Sequence, residues 1–249
     1  MIEEGLRLVF RAMREHEVSC LLMGGQACVL YGAAEFSRDV DFAILAEAEN
    51  LERVQAAMHS LEAEVIAVPP FEIKYLEEGL AVHFRCSVSG ADGLRVDLMT
   101  RMRGVADFPE LWERRFSIDD GGTGQVHLMH VADLVAAKKT QRDKDWPMIQ
   151  RLLEVNYLSC TTEAVPAQID FWLRELRTPE LLLEAAGRFP EETATTRTQR
   201  PLLAHALNPD PAALERELNA EMLAEKARDR KHWEPLKQKL SNLRHPPTG

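Results

Sequence analysis

Residues 21–45 read LLMGGQACVLYGAAEFSRDVDFAIL, and this stretch decides the fold that we expect. An apolar run ends at Gly24 and Gly25, a helix-sized segment follows, and residues 37–45 alternate as a strand does. Successive strand side chains point to opposite faces, so Asp39 and Asp41 share one face and the apolar residues share the other. Adjacent carboxylates repel each other unless a cation lies between them. The stretch therefore predicts a sheet with one apolar face and one face that holds a hard divalent ion such as Mg²⁺.

A third acidic residue, Asp97, lies on another predicted strand, residues 94–100. Carboxylates on neighbouring strands fit a two-Mg²⁺ site, which holds both the attacking and the leaving oxygen of a phosphoryl transfer. There Asp97 would complete one coordination sphere and take the proton of the attacking hydroxyl. Backbone N–H groups of the glycine turn would face triphosphate oxygens. Positive charge for phosphate or leaving pyrophosphate would come from Lys138, Lys139, Arg142 and Lys144.

The order of these motifs resembles a known family. The array G-G-x-A-x-x-x-x-G, then S-R-D-V-D-F, then V-D-L, then K-K-x-x-R-x-K-D is similar to the nucleotidyltransferase superfamily with the polymerase-beta-like fold. The similarity is closest to the minimal bacterial branch that includes the AbiEii-type toxins, and it covers roughly residues 1–155. It implies a mixed sheet flanked by helices, two Mg²⁺ ions, an NTP donor, and transfer of a nucleoside monophosphate with release of pyrophosphate.

The resemblance also implies roles for single residues. Asp39, Asp41 and Asp97 would be the catalytic and metal-binding residues. The donor nucleotide would be bound by Gly24, Gly25, Ser37, Arg38, Lys138, Arg142 and Lys144, and Asp145 completes the downstream basic motif. The chain departs from the family at Glu35, where many relatives have an arginine, and Arg38 stands directly before Asp39 instead.

We expect an α+β protein with two domains: a nucleotidyltransferase catalytic domain over residues 1–157 and an α-helical C-terminal domain over residues 158–249. In the first part, Asn50 is expected to cap a helix that runs to Leu61, and residues 71–76 are expected to form a strand. In the second, the threonine-rich residues 191–200 are predicted to be a loop. Pro235 is expected to kink or interrupt the last helix.

Composition restricts the setting. Of 249 residues, 45% are hydrophobic and 28% charged, and the apolar runs are shorter than the roughly 20 residues of a membrane span. We therefore expect a cytoplasmic protein with no membrane partner, and its single, scattered cysteines are expected to be reduced thiols. The formal charge of −10 argues against general polyanion binding, but residues 226–245 carry seven Lys or Arg and two acids. That segment is either a solvated helix face or a docking surface for RNA or an acidic partner.

These observations predict a Mg²⁺-dependent nucleotidyltransferase that moves a nucleoside monophosphate from an NTP to an acceptor hydroxyl. The basic segment favours a tRNA 3′ end and a toxin-like role, and other RNA, a protein or a small molecule such as an antibiotic would satisfy the same chemistry. A second hypothesis is a non-catalytic nucleotide-binding or partner-binding module of a toxin–antitoxin-type pair, with a cognate antitoxin as partner. A third is a Mg²⁺-dependent phosphohydrolase or nuclease that uses the same aspartates.

Overall fold

The structure is a computed structural model that describes residues 3–119, 124–160, 164–207 and 210–245. The chain forms two compact units. The first contains the described residues up to 30, residues 34–137 and the described residues from 232 onward, and the second contains residues 31–33 and the described part of 138–231. Compactness does not show that either part folds by itself, so the division into domains at residues 157 and 158 stays a prediction.

Seven strands of the described chain form one mixed sheet in the first unit. They are β1 (Cys20–Met23), β2 (Asp39–Ile44), β3 (Glu64–Val65), β4 (Val82–Arg85), β5 (Arg95–Met99), β6 (Phe116–Asp119) and β7 (Gln125–Leu128). Their order across the sheet is β3-β4-β5-β2-β1-β7-β6. The central strand β2 is antiparallel to β1 and parallel to β5. This arrangement confirms the predicted α+β class with a mixed sheet.

Helices occur in both units of the described chain. Those that begin before residue 145 are α1 (Glu4–Glu15), α2 (Gly24–Leu30), α3 (Ala48–Ser60), α4 (Ile73–Glu77), α5 (Phe108–Glu113) and α6 (Val131–Lys138). Those that follow are α7 (Asp145–Cys160), α8 (Pro166–Glu175), α9 (Pro179–Arg188), α10 (Pro190–Thr196), α11 (Ala204–Leu207) and α12 (Pro211–Arg244), with a 3₁₀ turn at Pro201–Leu203. Residues of α12 up to 231 belong to the second unit and the later ones to the first. The described helices include none that is long and apolar enough to cross a membrane.

The central strand β2 separates the two kinds of face as the alternation predicts. Val40, Phe42 and Ile44 are almost fully buried, and the rings of Phe10 in α1 and Phe42 meet edge to face at 6.3 Å. Removal of such side chains from water is the main favourable contribution to folding. The face of Asp39 and the carboxylates that follow it is therefore held in place by a closely packed apolar layer beneath it.

Asn50 has a different role from the predicted one. Helix α3 begins at Ala48, so Asn50 lies inside its first turn and its side chain is buried. The side-chain oxygen accepts the N–H of Ser19 at 2.7 Å, and the amide nitrogen donates to the carbonyl of Leu45 at 2.8 Å. The helix is joined through this amide to the segments next to β1 and β2, because a buried amide needs partners for both its donor and its acceptor.

Two predictions of local structure are wrong. Residues 71–76 do not form a strand, because Ile73–Glu77 is the short helix α4, in which Tyr75 and Leu76 are the buried residues. Residues 191–200 are not a loop throughout, because Pro190 begins the helix α10. There Thr193 is fully buried, and its hydroxyl donates to the carbonyl of Phe189 at 2.7 Å. Tertiary burial outweighs the weak helix propensity of threonine at this place.

The second unit has an aromatic core of its own. Tyr157 in α7 and Trp172 in α8 are fully buried and meet edge to face at 5.0 Å. The indole N–H of Trp172 donates to the side chain of Asn156 at 2.8 Å, which satisfies its one polar atom. These contacts favour packing as the role of Trp172, in agreement with its helical spacing in the sequence.

Candidate functional site

The three predicted aspartates meet on one face of the sheet. Asp41 of β2 is the register partner of Asp97 on the parallel strand β5, and Asp39 is the partner of Arg95. Partners across a parallel pair point to the same side, and so do residues two apart on one strand. Asp39, Asp41 and Asp97 therefore form one surface with Arg95 among them. We call these four residues the carboxylate face.

The glycine turn closes one side of this face. Gly24 begins α2 with φ +65°, a left-handed conformation that residues with a side chain rarely adopt. A Cβ on Gly24 would lie 2.7 Å from the Cβ of Asp41 and would overlap its carboxylate, and a Cβ on Gly25 would lie 2.8 Å from the Cβ of Ser37. Neither position has room for a side chain, so glycine is required at both. The structure brings Gly24, Gly25, Ser37 and Asp41 together, as the sequence predicts.

The segment before β2 is attached to α2. The side-chain amide of Gln26 is buried and donates to the carbonyl of Ser37 at 2.8 Å, and the Ser37 hydroxyl lies 3.3 Å from the carbonyl of Asp39. Glu35 and Arg38 are exposed. Ser37 is therefore fixed beside the glycine turn, whereas the side chain of Arg38, a predicted donor-binding residue, faces solvent.

Asp97 is held by two residues that the sequence analysis did not assign to the site. Its carboxylate accepts two hydrogen bonds from Arg95, Nε to Oδ1 at 2.7 Å and Nη2 to Oδ2 at 2.8 Å. His83 of β4, its register partner, places Nδ1 2.9 Å from Oδ1 and 2.9 Å from Arg95 Nη2. Burial opposes ionisation of Asp97, but hydrogen bonds from His83 and Arg95 outweigh it and hold its pKa below the ordinary value.

Arg95 is the counter-charge of the whole face. Its pKa is raised by the hydrogen bonds to Asp97 and also by the charges of Asp39 and Asp41. A signal for it was present in the sequence: Arg95 stands two residues before Asp97, so the strand period of two places both side chains on one face. His83 has no such signal, because its place depends on which strand β4 pairs with.

The downstream basic motif, residues 138–145, lies in the second unit. There Asp145 is buried and accepts hydrogen bonds from Thr140 Oγ1 at 2.5 Å and Arg142 Nε at 2.8 Å. Lys138 is also buried, with its Nζ 3.9 Å from Asp145. Arg142 and Lys144 are exposed. Asp145 thus joins the residues of this motif, and the predicted donor-binding role of Lys138, Arg142 and Lys144 stays a prediction.

The carboxylate face has the donor chemistry of a Mg²⁺ site in part. Carboxylate oxygens are the ligands that Mg²⁺ prefers, and Asp39 and Asp41 lie on one face with solvent access. Both oxygens of Asp97, however, are engaged by Arg95. Over the described ranges, no group of three or more His, Cys, Asp or Glu side chains has a geometry that could hold a metal ion. Asp39 and Asp41 supply two carboxylates on the same face, and Asp97 would first have to exchange its bonds to Arg95.

No family model matches the chain, and no curated protein matches it either.

Proposed function

We propose that the chain is a Mg²⁺-dependent nucleotidyltransferase of the superfamily with the polymerase-beta-like fold, and that it moves a nucleoside monophosphate from an NTP to an acceptor hydroxyl. One observation carries the proposal: the glycine turn and Ser37 lie directly against the carboxylate face, on a mixed sheet. A turn that only reverses the chain does not require its backbone to lie so close to a carboxylate, and here the contact between Gly24 and Asp41 leaves no room even for a methyl group. Close approach of backbone to acidic side chains suits a site where phosphate and cation meet.

Each residue of the site has a separate role in the proposed reaction. Backbone N–H groups at Gly24 and Gly25 would donate to triphosphate oxygens, and Ser37 beside them would add a hydroxyl donor. Asp39 and Asp41 would hold Mg²⁺, which when bound supplies charge stabilisation for the phosphoryl transfer. The pKa of Asp97 lies below its ordinary value, so Asp97 is a weak proton acceptor at neutral pH. We therefore assign Asp97 to holding charge at the site and not to taking the acceptor proton.

The acceptor that we favour is RNA. The exposed basic residues of α12 include Arg230, Lys231, Lys237 and Arg244. Others are engaged, since Lys226 donates to Asp143 at 2.7 Å and Lys239 donates to Glu78. Exposed cations along one helix are available to phosphates of a nucleic acid. A tRNA 3′ end and a toxin-like role with a cognate antitoxin belong to this proposal.

Transfer of labelled nucleotide tests the proposal. The purified chain is incubated with each α-labelled NTP, Mg²⁺ and total RNA, and the label on RNA and the pyrophosphate released are followed. We expect transfer that Asp41→Asn lowers by at least about a hundredfold, because removal of a metal carboxylate removes charge stabilisation of the transition state. Asp92→Asn is the matched control, since Asp92 is exposed in the same unit and outside the carboxylate face. Equal rates in the two variants would refute the assignment of the site.

A non-catalytic nucleotide-binding module is the second candidate. It is favoured by the two hydrogen bonds from Arg95 to Asp97, which keep the third carboxylate from a metal ion, and by Glu35 where related chains carry an arginine. In that case the chain binds NTP with Mg²⁺ but leaves no label on RNA, protein or a small-molecule fraction such as an antibiotic. Free phosphate or cleaved RNA without transfer would instead indicate a phosphohydrolase or nuclease.

A further inference from the structure

The second unit contains a charged cavity whose lining includes no residue of the carboxylate face. Its volume is about 330 Å³, within the range of small-ligand pockets. Five cationic side chains line it: Lys139, Arg174, Arg177, Arg200 and Arg228. Three carboxylates accompany them: Glu175, Glu221 and Glu225. The lining thus carries a formal excess of two positive charges inside the protein.

Most of these charges are neutralised in pairs. Lys139 donates to Glu175 at 2.7 Å, and Arg228 donates to Glu225 at 2.5 Å. Arg174 donates to Asp170, a residue outside the lining, at 2.6 Å. Each pair removes one cation from the balance, and with Asp170 counted the formal excess falls from two positive charges to one, which lies on the two arginines that remain.

Arg177 and Arg200 share a single carboxylate. Arg200 binds both oxygens of Glu221, at 3.1 and 2.9 Å, and donates as well to the carbonyls of Leu173 and Leu176 near the end of α8. The guanidinium of Arg200 thus finds its acceptors within the fold. Arg177 forms an ion pair with Glu221 as well, at 3.2 Å. Arg200 is therefore a structural arginine, and the surplus charge belongs to Arg177.

Arg177 is also short of hydrogen-bond acceptors. Its side chain is 10% exposed, and its Nε is closed to solvent without a partner among the described residues. Its Nη1 reaches the carbonyl of Leu218 at 3.5 Å, and its guanidinium lies 5.2 Å from the ring centre of Trp146. Burial and the neighbouring charge of Arg200 lower the pKa of Arg177. A buried donor without a protein acceptor is uncommon in folded proteins, and a water molecule or a bound ion can satisfy it.

We propose that this cavity is a binding site for a small phosphate-class oxyanion, with Arg177 as the residue that recognises it. A turn of the guanidinium would direct two N–H groups at the anion, which is the planar, two-point recognition that arginine gives to phosphate. One bound anion supplies both the missing acceptor and the missing negative charge. The site needs no residue of the carboxylate face and does not rest on the proposed function.

Calorimetric titration of the full chain tests the site. Phosphate, pyrophosphate and AMP are titrated at constant ionic strength in EDTA, so that metal-dependent binding elsewhere is suppressed. We expect saturable binding of at least one anion, and the ranking of the three tells an inorganic anion from the phosphate of a nucleotide. Arg177→Gln is expected to weaken it by at least about tenfold, because a charge-assisted hydrogen bond is lost. Arg216→Gln, on an exposed arginine of α12 outside the lining, is the charge-matched control and is expected to change affinity by less than about twofold.

A second variant acts in the opposite direction. Glu221→Gln removes the carboxylate that Arg177 and Arg200 share, so anion affinity is expected to rise by at least about threefold. A purely structural role of the ion pairs gives no such rise. Absence of binding to the unchanged chain up to about 10 mM anion would overturn the proposal. Equal anion affinity in the Arg177→Gln and Arg216→Gln chains would overturn it as well. So would unchanged or lower affinity in the Glu221→Gln chain, and this second result can be obtained even if Arg177→Gln fails to fold.

Discussion

At the scale of single residues, Arg95 explains how three carboxylates share one sheet face. Its guanidinium neutralises Asp97 directly, and its charge interacts with those of Asp39 and Asp41. Without a counter-charge, clustered acids would raise one another's pKa and oppose folding. Arg95 thus supplies positive charge to three neighbouring carboxylates, as a bound cation would.

Asp97 is expected to stabilise the fold in a pH-dependent manner. Its pKa is lower in the folded chain than the value of about 3.9 in an unfolded one, so its contribution is present above that value and is lost as the pH falls through the folded pKa. In metal-free buffer at pH 7, Asp97→Asn is expected to lower the free energy of unfolding by about 1–2 kcal/mol, because Arg95 loses its ionised partner. Urea unfolding between pH 3 and pH 7 measures the difference, with Asp92→Asn as control. A difference that grows as the solution is acidified would contradict the assignment.

Gly24 is expected to tolerate no side chain. Gly24→Ala places a Cβ against the carboxylate of Asp41 in a left-handed conformation, so it is expected to cost about 2–4 kcal/mol of unfolding free energy. Gly104→Ala is the matched control, because Gly104 also has a positive φ, +73°, but open space around its Cβ. Thermal unfolding of the two variants separates backbone strain from overlap. If both variants lose the same free energy of unfolding, overlap with Asp41 does not contribute to the loss in Gly24→Ala.

At the scale of elements, what could be predicted follows from the range of the interactions. The apolar and acidic faces of β2 follow from the alternation of side chains within six consecutive residues, which can be read from the sequence. The pairing of β5 with β2 and of β4 with β5 joins distant parts of the chain, so the contact of His83 with Asp97 was not predictable from local pattern. Residues 71–76 look like a strand because they alternate, but Tyr75 and Leu76 are adjacent and both buried, which a helical turn permits.

The exposed basic face of α12 is expected to bind RNA through its phosphates. In the chain with Lys237→Glu and Arg244→Glu, affinity for total RNA is expected to fall, and the slope of log affinity against log salt to fall by about two, one for each lost phosphate contact. A chain with Arg151→Glu and Arg216→Glu, two other exposed arginines, carries the same change in net charge and serves as control. Fluorescence anisotropy over a salt series measures both chains. Identical salt slopes in the two variant chains would contradict the proposal that α12 binds RNA.

At the scale of the whole molecule, the exposed cations of α12 contrast with the net charge of the chain. The chain carries −10 overall, and the exposed cations of α12 lie within this acidic background. Repulsion from the rest of the surface penalises contacts that do not use the basic face. If RNA docks on α12 as proposed, this repulsion would also favour one orientation of the RNA.

Binding of nucleotide is expected to stabilise the whole chain. With Mg²⁺ and an NTP at about 100 times its dissociation constant, mass action adds about 2.7 kcal/mol, which corresponds to a rise in Tm of roughly 5–10 °C for a chain of this size. Asp41→Asn is expected to abolish the rise, since under the proposed function Asp41 holds the ion that accompanies the triphosphate. Scanning fluorimetry with and without Mg²⁺ measures it. A rise that persists in Asp41→Asn would move nucleotide binding away from the carboxylate face.

The contact between Gly24 and Asp41 also bears on how such chains diverge. The space that a side chain at position 24 would need is the space that the Asp41 carboxylate fills, so the two positions constrain each other through shape as well as chemistry. A descendant that replaces Asp41 by a smaller residue loses one of the reasons for keeping glycine at position 24. We therefore expect the two positions to covary among relatives, with both lost together where the site has decayed. The pair would then serve as a simple marker, readable from sequence, of which relatives still use the site.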